Sequence, residues 1–95
     1  MSMGWSAARK LRRAIDGLGR VLAIEVMTAA RGLALRAPLA PAAATGAVLT
    51  TLRETCDGHG ADRFLAPEIE AAVAFVRDGG AVRAAESVTG PLEVP

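Results

Sequence analysis

Three groups of side chains in this sequence are of types that do chemistry. They are a basic cluster at Arg9, Lys10, Arg12 and Arg13, a lone carboxylate at Glu25, and Cys56, Asp57 and His59 close together. A basic cluster can hold phosphate or an acidic partner. Its ordinary role is a solvated helix face, here with Arg12 and Asp16 four apart and placed to pair. No aromatic residue interleaves with these charges, as a groove for single-stranded nucleic acid would want. Glu25 stands between Ile24 and Val26 in an apolar run. A carboxylate in such a place costs free energy unless paired, so either an arginine from another segment meets it or its pKa rises. A catalytic acid or base is one use of such a group. The expectation is a buried structural ion pair, because no second catalytic group shares that helix face. Cys56 and His59 form a Cys-x-x-His, which matches no zinc signature, and the histidine lies between two glycines, where an exposed loop and no metal are expected. There is no glycine-rich phosphate loop, nucleophile elbow or paired-carboxylate constellation. The residues alone point to a helical structural or oligomerisation piece with no catalytic residue of its own.

The elements that carry these groups are helices. Ala8, Leu11, Ile15, Leu18 and Leu22 alternate three and four apart, the stripe of an amphipathic helix close to a coiled-coil seam. The spacing predicts a long helix over about 4–36, roughly 50 Å at ~1.5 Å per residue. Ser2 or Ser6 is placed to cap its start. Pro38 stops it, because Ala37 is driven out of the helical region by the ring that follows. From Val21 to Ala30 (VLAIEVMTAA) the helix is apolar nearly all round, so this half requires neighbours that the short segments after it cannot supply. Short helices are expected over about 43–55 (Val48, Leu49 and Leu52 inward), 67–78 (Ile69, Val73 and Val76 inward) and 81–88. Pro67 suits a first turn, Glu68 and Glu70 suit the positive end of a helix dipole, and Gly79-Gly80 suits a helix end. No segment alternates with period two. The fold class is therefore all-α, one long helix followed by two or three short ones, and 1–95 is one segment.

Composition narrows the function. Ninety-five residues allow one small domain, while 52% hydrophobic residues and a long protruding helix call for an oligomer or a larger body. A net charge of +1 speaks against a nucleic-acid partner held by bulk charge. A single cysteine excludes an internal disulfide framework. No signal peptide is recognisable and Glu25 interrupts the most apolar stretch, so no membrane span and a cytoplasmic protein are expected. The absence of Tyr, Asn and Gln removes several usual proton donors and oxyanion ligands.

Four strings of residues resemble one family. Ser2 to Arg12 (SMGWSAARKLR), Val21 to Glu25 (VLAIE), Leu35-Arg36, and Asp62 to Val73 (DRFLAPEIEAAV) are similar, in order and spacing, to the C-terminal end of histidine ammonia-lyases, within the aromatic amino-acid ammonia-lyases. The resemblance covers most of the chain. It implies an all-α homotetramer with long helices in a central bundle. It also implies a full-length reaction, elimination of ammonia from L-histidine to give urocanate on a methylidene-imidazolone formed from an internal Ala-Ser-Gly. This chain has no such tripeptide: its serines are Ser2, Ser6 and Ser87, in MSM, WSA and ESV. It has no tyrosine, which the family uses in its site. The family's Gln-Glu-Asp-His run would lie immediately before Met1, so Ser2, Met3 and Gly4 match the edge of that loop and nothing catalytic. Gly17, Gly19 and Gly32 within the helix, Ala34 and the Cys56–Gly60 loop depart from the family pattern.

Three functions compete. The chain is a C-terminal segment of a histidine ammonia-lyase, inactive alone and serving as scaffold. Or it is a complementing subunit of a split ammonia-lyase, another chain bringing the electrophile. Or it is a repurposed helical interaction module. The partners expected are further copies of itself or the remainder of an ammonia-lyase, with no nucleic acid and no membrane. No cofactor is expected in this chain, since the precursor residues of the electrophile are absent.

Overall fold

Prolines and glycines divide the chain into its helices. The structure, a computed structural model, describes residues 3–57 and 60–93. Four helices follow in order: α1 (Gly4–Leu35), α2 (Ala43–Arg53), α3 (Ala66–Arg77) and α4 (Gly80–Thr89). No strand occurs among the described residues, and the chain is all-α. None of these helices is long and apolar enough to cross a membrane.

Local chemistry explains the ends. No serine caps α1. Met3 holds the N-cap position without a side-chain bond, Ala7 N–H donates to the Met3 carbonyl at 3.0 Å, and Ser6 lies inside the first turn. Ser2 falls outside the described residues. After Leu35 the chain turns at a cis Ala37–Pro38 peptide, with Leu39 N–H donating to the Arg36 carbonyl at 3.0 Å. The last turn of α2 tightens: Glu54 and Thr55 donate to carbonyls only three residues back, so the regular helix stops at Arg53. Ahead of α3, Arg63 grips Glu68 with two guanidinium nitrogens (2.6 and 3.0 Å), which pins the incoming loop to the first turn.

Gly79 alone makes the corner between α3 and α4. Its φ of 76° is left-handed, and Gly80, expected to help end α3, is the first residue of α4. A β-carbon on Gly80 would lie 2.6 Å from Phe75 Cδ2 and 3.0 Å from the Phe75 carbonyl oxygen. Gly80→Ala should therefore cost about 1–3 kcal/mol by overpacking, and Gly79→Ala about 1–2 kcal/mol through the left-handed backbone. Urea titrations followed by circular dichroism check both. An unchanged midpoint for Gly80→Ala would mean that Phe75 does not block the corner.

Two helix pairs meet at this corner. α3 packs on α1 and α2 on α4. Arg77 meets Asp16 and Glu70 meets Arg20, so α3 runs antiparallel to α1. The core is small: Ala23, Ala30, Leu52, Cys56, Ala72 and Val73, with Val26, Met27, Leu49 and Ile69 packed against it. The first part of α1, from Gly4 to Leu18, is exposed along its whole length.

The resulting body measures 60 × 37 × 18 Å. Its radius of gyration is 16.1 Å, against roughly 12 Å for a globular chain of this length. Its accessible surface is 7146 Å², against roughly 5,100 Å² for a folded monomer of 9.7 kDa.

Candidate functional site

The groups that could do chemistry are not brought together. Arg9, Lys10, Arg12 and Arg13 lie on the exposed first half of α1. Asp16, expected to pair with Arg12, instead accepts a hydrogen bond from Arg77 of α3 at 2.7 Å. One turn on, Arg20 donates to Glu70 at 2.7 Å. That hydrogen bond, reinforced by the carboxylate's charge, holds the Arg20 guanidinium further into its charged form. Arg63 is held the same way, chiefly by its hydrogen bond to Glu68. These cross-helix pairs were not anticipated from the sequence. The only available signal was the order of charges, acidic then basic in both Asp16/Arg20 and Glu70/Arg77. That order pairs opposite signs when the helices run antiparallel, but the spacings of four and seven residues differ.

Glu25 corrects a second expectation. It is exposed, no charged side chain is buried among the described residues, and it forms none of their ion pairs. The physical reason is the direction of α3's approach. α3 reaches α1 over Gly19 and Ala23, and Glu25 lies two residues on, about 200° around the helix from Ala23. Its flank holds Val21, Leu22 and Ile24, which are 56%, 38% and 50% exposed. No described residue covers this face fully.

Cys56 is a core residue, 1% exposed, and its thiol donates to the Glu68 carbonyl at 3.3 Å. That contact ties the loop after α2 to the first turn of α3. Asp57 is exposed and His59 lies outside the described residues. Among the described residues no three His, Cys, Asp or Glu side chains gather as metal ligands would. A cleft of about 400 Å³ opens between α1 and the segment leading into α3, lined by Ile24, Met27, Thr28, Arg31, Arg63 and Ile69 among others. Arg63 is already taken up by Glu68, so Arg31 is the one cation in its wall without an ion pair. A smaller opening of about 140 Å³ between α1 and α2 is lined by apolar groups such as Val26, Leu33, Val48 and Leu49.

Comparison with known proteins places this architecture. The family model described as aromatic amino acid lyase matches residues 1–54, which is α1, the turn after it and α2. The chain belongs to the aromatic amino acid lyase family. Among curated members of the family, the histidine ammonia-lyase of Streptomyces avermitilis is 60% identical over 97% of this chain. Those of Streptomyces coelicolor and Symbiobacterium thermophilum are 57% and 46% identical over 97% and 98% of it. The chain spans 18% of the length of each of these relatives. No solved structure matches the chain significantly. The residues of this lyase-family chain do not fit the family's electrophile. Ser6 lies in the first turn of α1 beside Trp5 and Ala7, and Ser87 lies within α4 with its hydroxyl donating to the Ala84 carbonyl at 2.6 Å. Neither stands between an alanine and a glycine. Met3 and Gly4 stand at the start of α1, where both are exposed.

Proposed function

We propose that this chain is the C-terminal helical segment of a histidine ammonia-lyase, that it carries no catalytic centre by itself, and that it serves as scaffold in the lyase assembly. One observation carries this reading: the most apolar side of α1 is the side that the chain itself leaves uncovered. Leu11, Ile15, Leu18 and Val21 are each more than half exposed. In a self-contained domain such a stripe faces the core. Here it continues, at the same angle on the helix, into the apolar opening beside α2, as the edge of a larger packed body would.

The kinship to histidine ammonia-lyases over nearly the whole chain supports the choice of body. The family chemistry, L-histidine to urocanate plus ammonia on a methylidene-imidazolone, would then belong to residues outside this segment, and a homotetrameric bundle is the assembly it would join.

The test is urocanate formation from L-histidine, followed by absorbance. The chain alone should give none. A rate from the chain alone would overturn the reading outright, since no residue here accounts for the electrophile. The second arm mixes the chain with a histidine ammonia-lyase cut just after its Gln-Glu-Asp-His loop. Activity only in the mixture would make this a complementing subunit; none, with a soluble partner, leaves it a scaffold segment.

A further inference from the structure

Ile24, Met27, Thr28 and Arg31 follow one another at three, one and three residues, so all four share one face of α1. They form one wall of the cleft of about 400 Å³. This face looks away from the exposed apolar stripe, since Arg31 stands about 180° around the helix from Leu22. The opposite wall is the stretch between Gly60 and Leu65, with Ile69 of α3. We infer that this cleft binds a free α-amino acid with an apolar side chain, its carboxylate on Arg31 and Thr28 and its ammonium on Asp62. The inference goes beyond the scaffold reading and does not depend on it.

Charge identifies the head of the ligand. Arg63 is fully engaged within its own wall. Its Nε and Nη2 donate to Glu68 at 2.6 and 3.0 Å, and its Nη1 donates to the Ala61 carbonyl at 3.3 Å. Two opposite charges remain, Arg31 on α1 and Asp62 on the other wall, and neither forms an ion pair among the described residues. The Thr28 hydroxyl, one turn before Arg31, also makes no hydrogen bond among them. A guanidinium presents paired donors that match a carboxylate, and a carboxylate accepts from an ammonium. A simple anion would meet Asp62 as a like charge, and a simple cation would meet Arg31 as one. A zwitterion satisfies both.

The walls identify its tail. Beside the charges stand Ile24, Met27, Leu65 and Ile69, and Ile24 and Leu65 are still 50% and 39% exposed. A hydrocarbon side chain laid on them removes apolar surface from water on both partners. The cleft lies within the ~300–1,000 Å³ of small-molecule sites. Its far wall is braced in advance, because the grip of Arg63 on Glu68 fixes the loop to α3, so binding needs little further ordering.

Saturation-transfer NMR on the ligand's protons, with the full chain, reads binding even where copies associate. L-leucine should saturate with a dissociation constant of about 1 mM, and glycine should give no saturable signal. Isocaproate and isoamylamine, which are leucine without its ammonium and without its carboxylate, should each bind roughly tenfold more weakly. Arg31→Gln and Asp62→Asn are at exposed positions, and circular dichroism confirms their helix content. Each should weaken L-leucine roughly tenfold, and in Asp62→Asn the advantage of L-leucine over isocaproate should vanish. No saturable signal from L-leucine overturns the proposal, the cleft then being closed by Arg31 against Asp62 or filled by another protein segment. So does binding indifferent to both substitutions, or tighter binding of L-histidine than of L-leucine. None of these results bears on the scaffold reading, which the urocanate assay tests by itself.

Discussion

Leu52→Ala should destabilise the chain by about 2–5 kcal/mol. Leu52 is 1% exposed and, with Cys56, is the largest side chain fully buried. It lies in α2, packed in the cluster that joins Ala23 and Ala30 of α1 to Ala72 and Val73 of α3. Truncation removes the transfer free energy of three carbons and leaves a void. The size of the void term depends on how far the neighbours can relax into it. The buried alanines of the cluster (Ala23, Ala30 and Ala72) have single methyls that cannot swing into a hole, while Val26, Met27 and Leu49 at its edge can relax part of the way. Urea titration followed by circular dichroism measures it, at one fixed protein concentration because folding and association are linked. Leu39→Ala provides the contrast: Leu39 is 71% exposed, and its truncation should stay within about 0.5 kcal/mol. Equal effects of the two substitutions would mean that α2 is not held by this cluster.

The same small core explains how far the fold was legible in the sequence. The extent of α1 followed from an unbroken 3.6-residue pattern and from Pro38, both local signals. The class followed from the absence of period-two alternation. Which face of α1 is buried did not follow. The large apolar residues at 11, 15, 18 and 22 mark a stripe, yet the buried positions are Gly19, Ala23 and Ala30. Pattern reading weighs side chains by size, whereas close helix packing selects positions where there is almost none. A β-carbon on Gly19 would stand 3.8 Å from the Arg77 side chain, an ordinary van der Waals contact, so the position selects for a small residue and an alanine would also fit.

Glu25 was misplaced for a related reason. Its apolar surroundings were real, but they describe a surface that this chain offers outward. A sequence shows that a group will be surrounded by apolar residues without showing which molecule supplies the second half of the surroundings. The chemistry was legible in a different way. The residues singled out at Cys56, Asp57 and His59 were weak by spacing, and the thiol is taken up in tying a loop to α3. The ion pairs that do span the helices, Asp16 with Arg77 and Arg20 with Glu70, depend on separations of 61 and 50 residues, which no local pattern encodes.

Ala23→Phe should have the second of the two largest effects, and it tests the idea that α1 and α3 meet through small residues. Ala23 and Ala72 are both 0% exposed. Ala23 is fully buried where α1 and α3 pack, so a phenyl ring there has no open space to enter. The helices must part, and overpacking of this size costs about 3 kcal/mol or more. The damage should also be directional. Parting α1 from α3 breaks the Asp16–Arg77 and Arg20–Glu70 pairs, which need the close approach, while α2 and α4 keep their own contact. Hydrogen exchange resolves this: amides of α3 should lose protection well before those of α2 and α4. Phe at position 24 in place of Ile24, which is 50% exposed, adds a ring on the same helix without entering the contact and should leave α3 protected. If Ala23→Phe melts all four helices together, the two pairs form one cooperative unit and the corner at Gly79 transmits more than its size suggests. If it melts α3 alone, the chain is two hinged pairs that unfold separately.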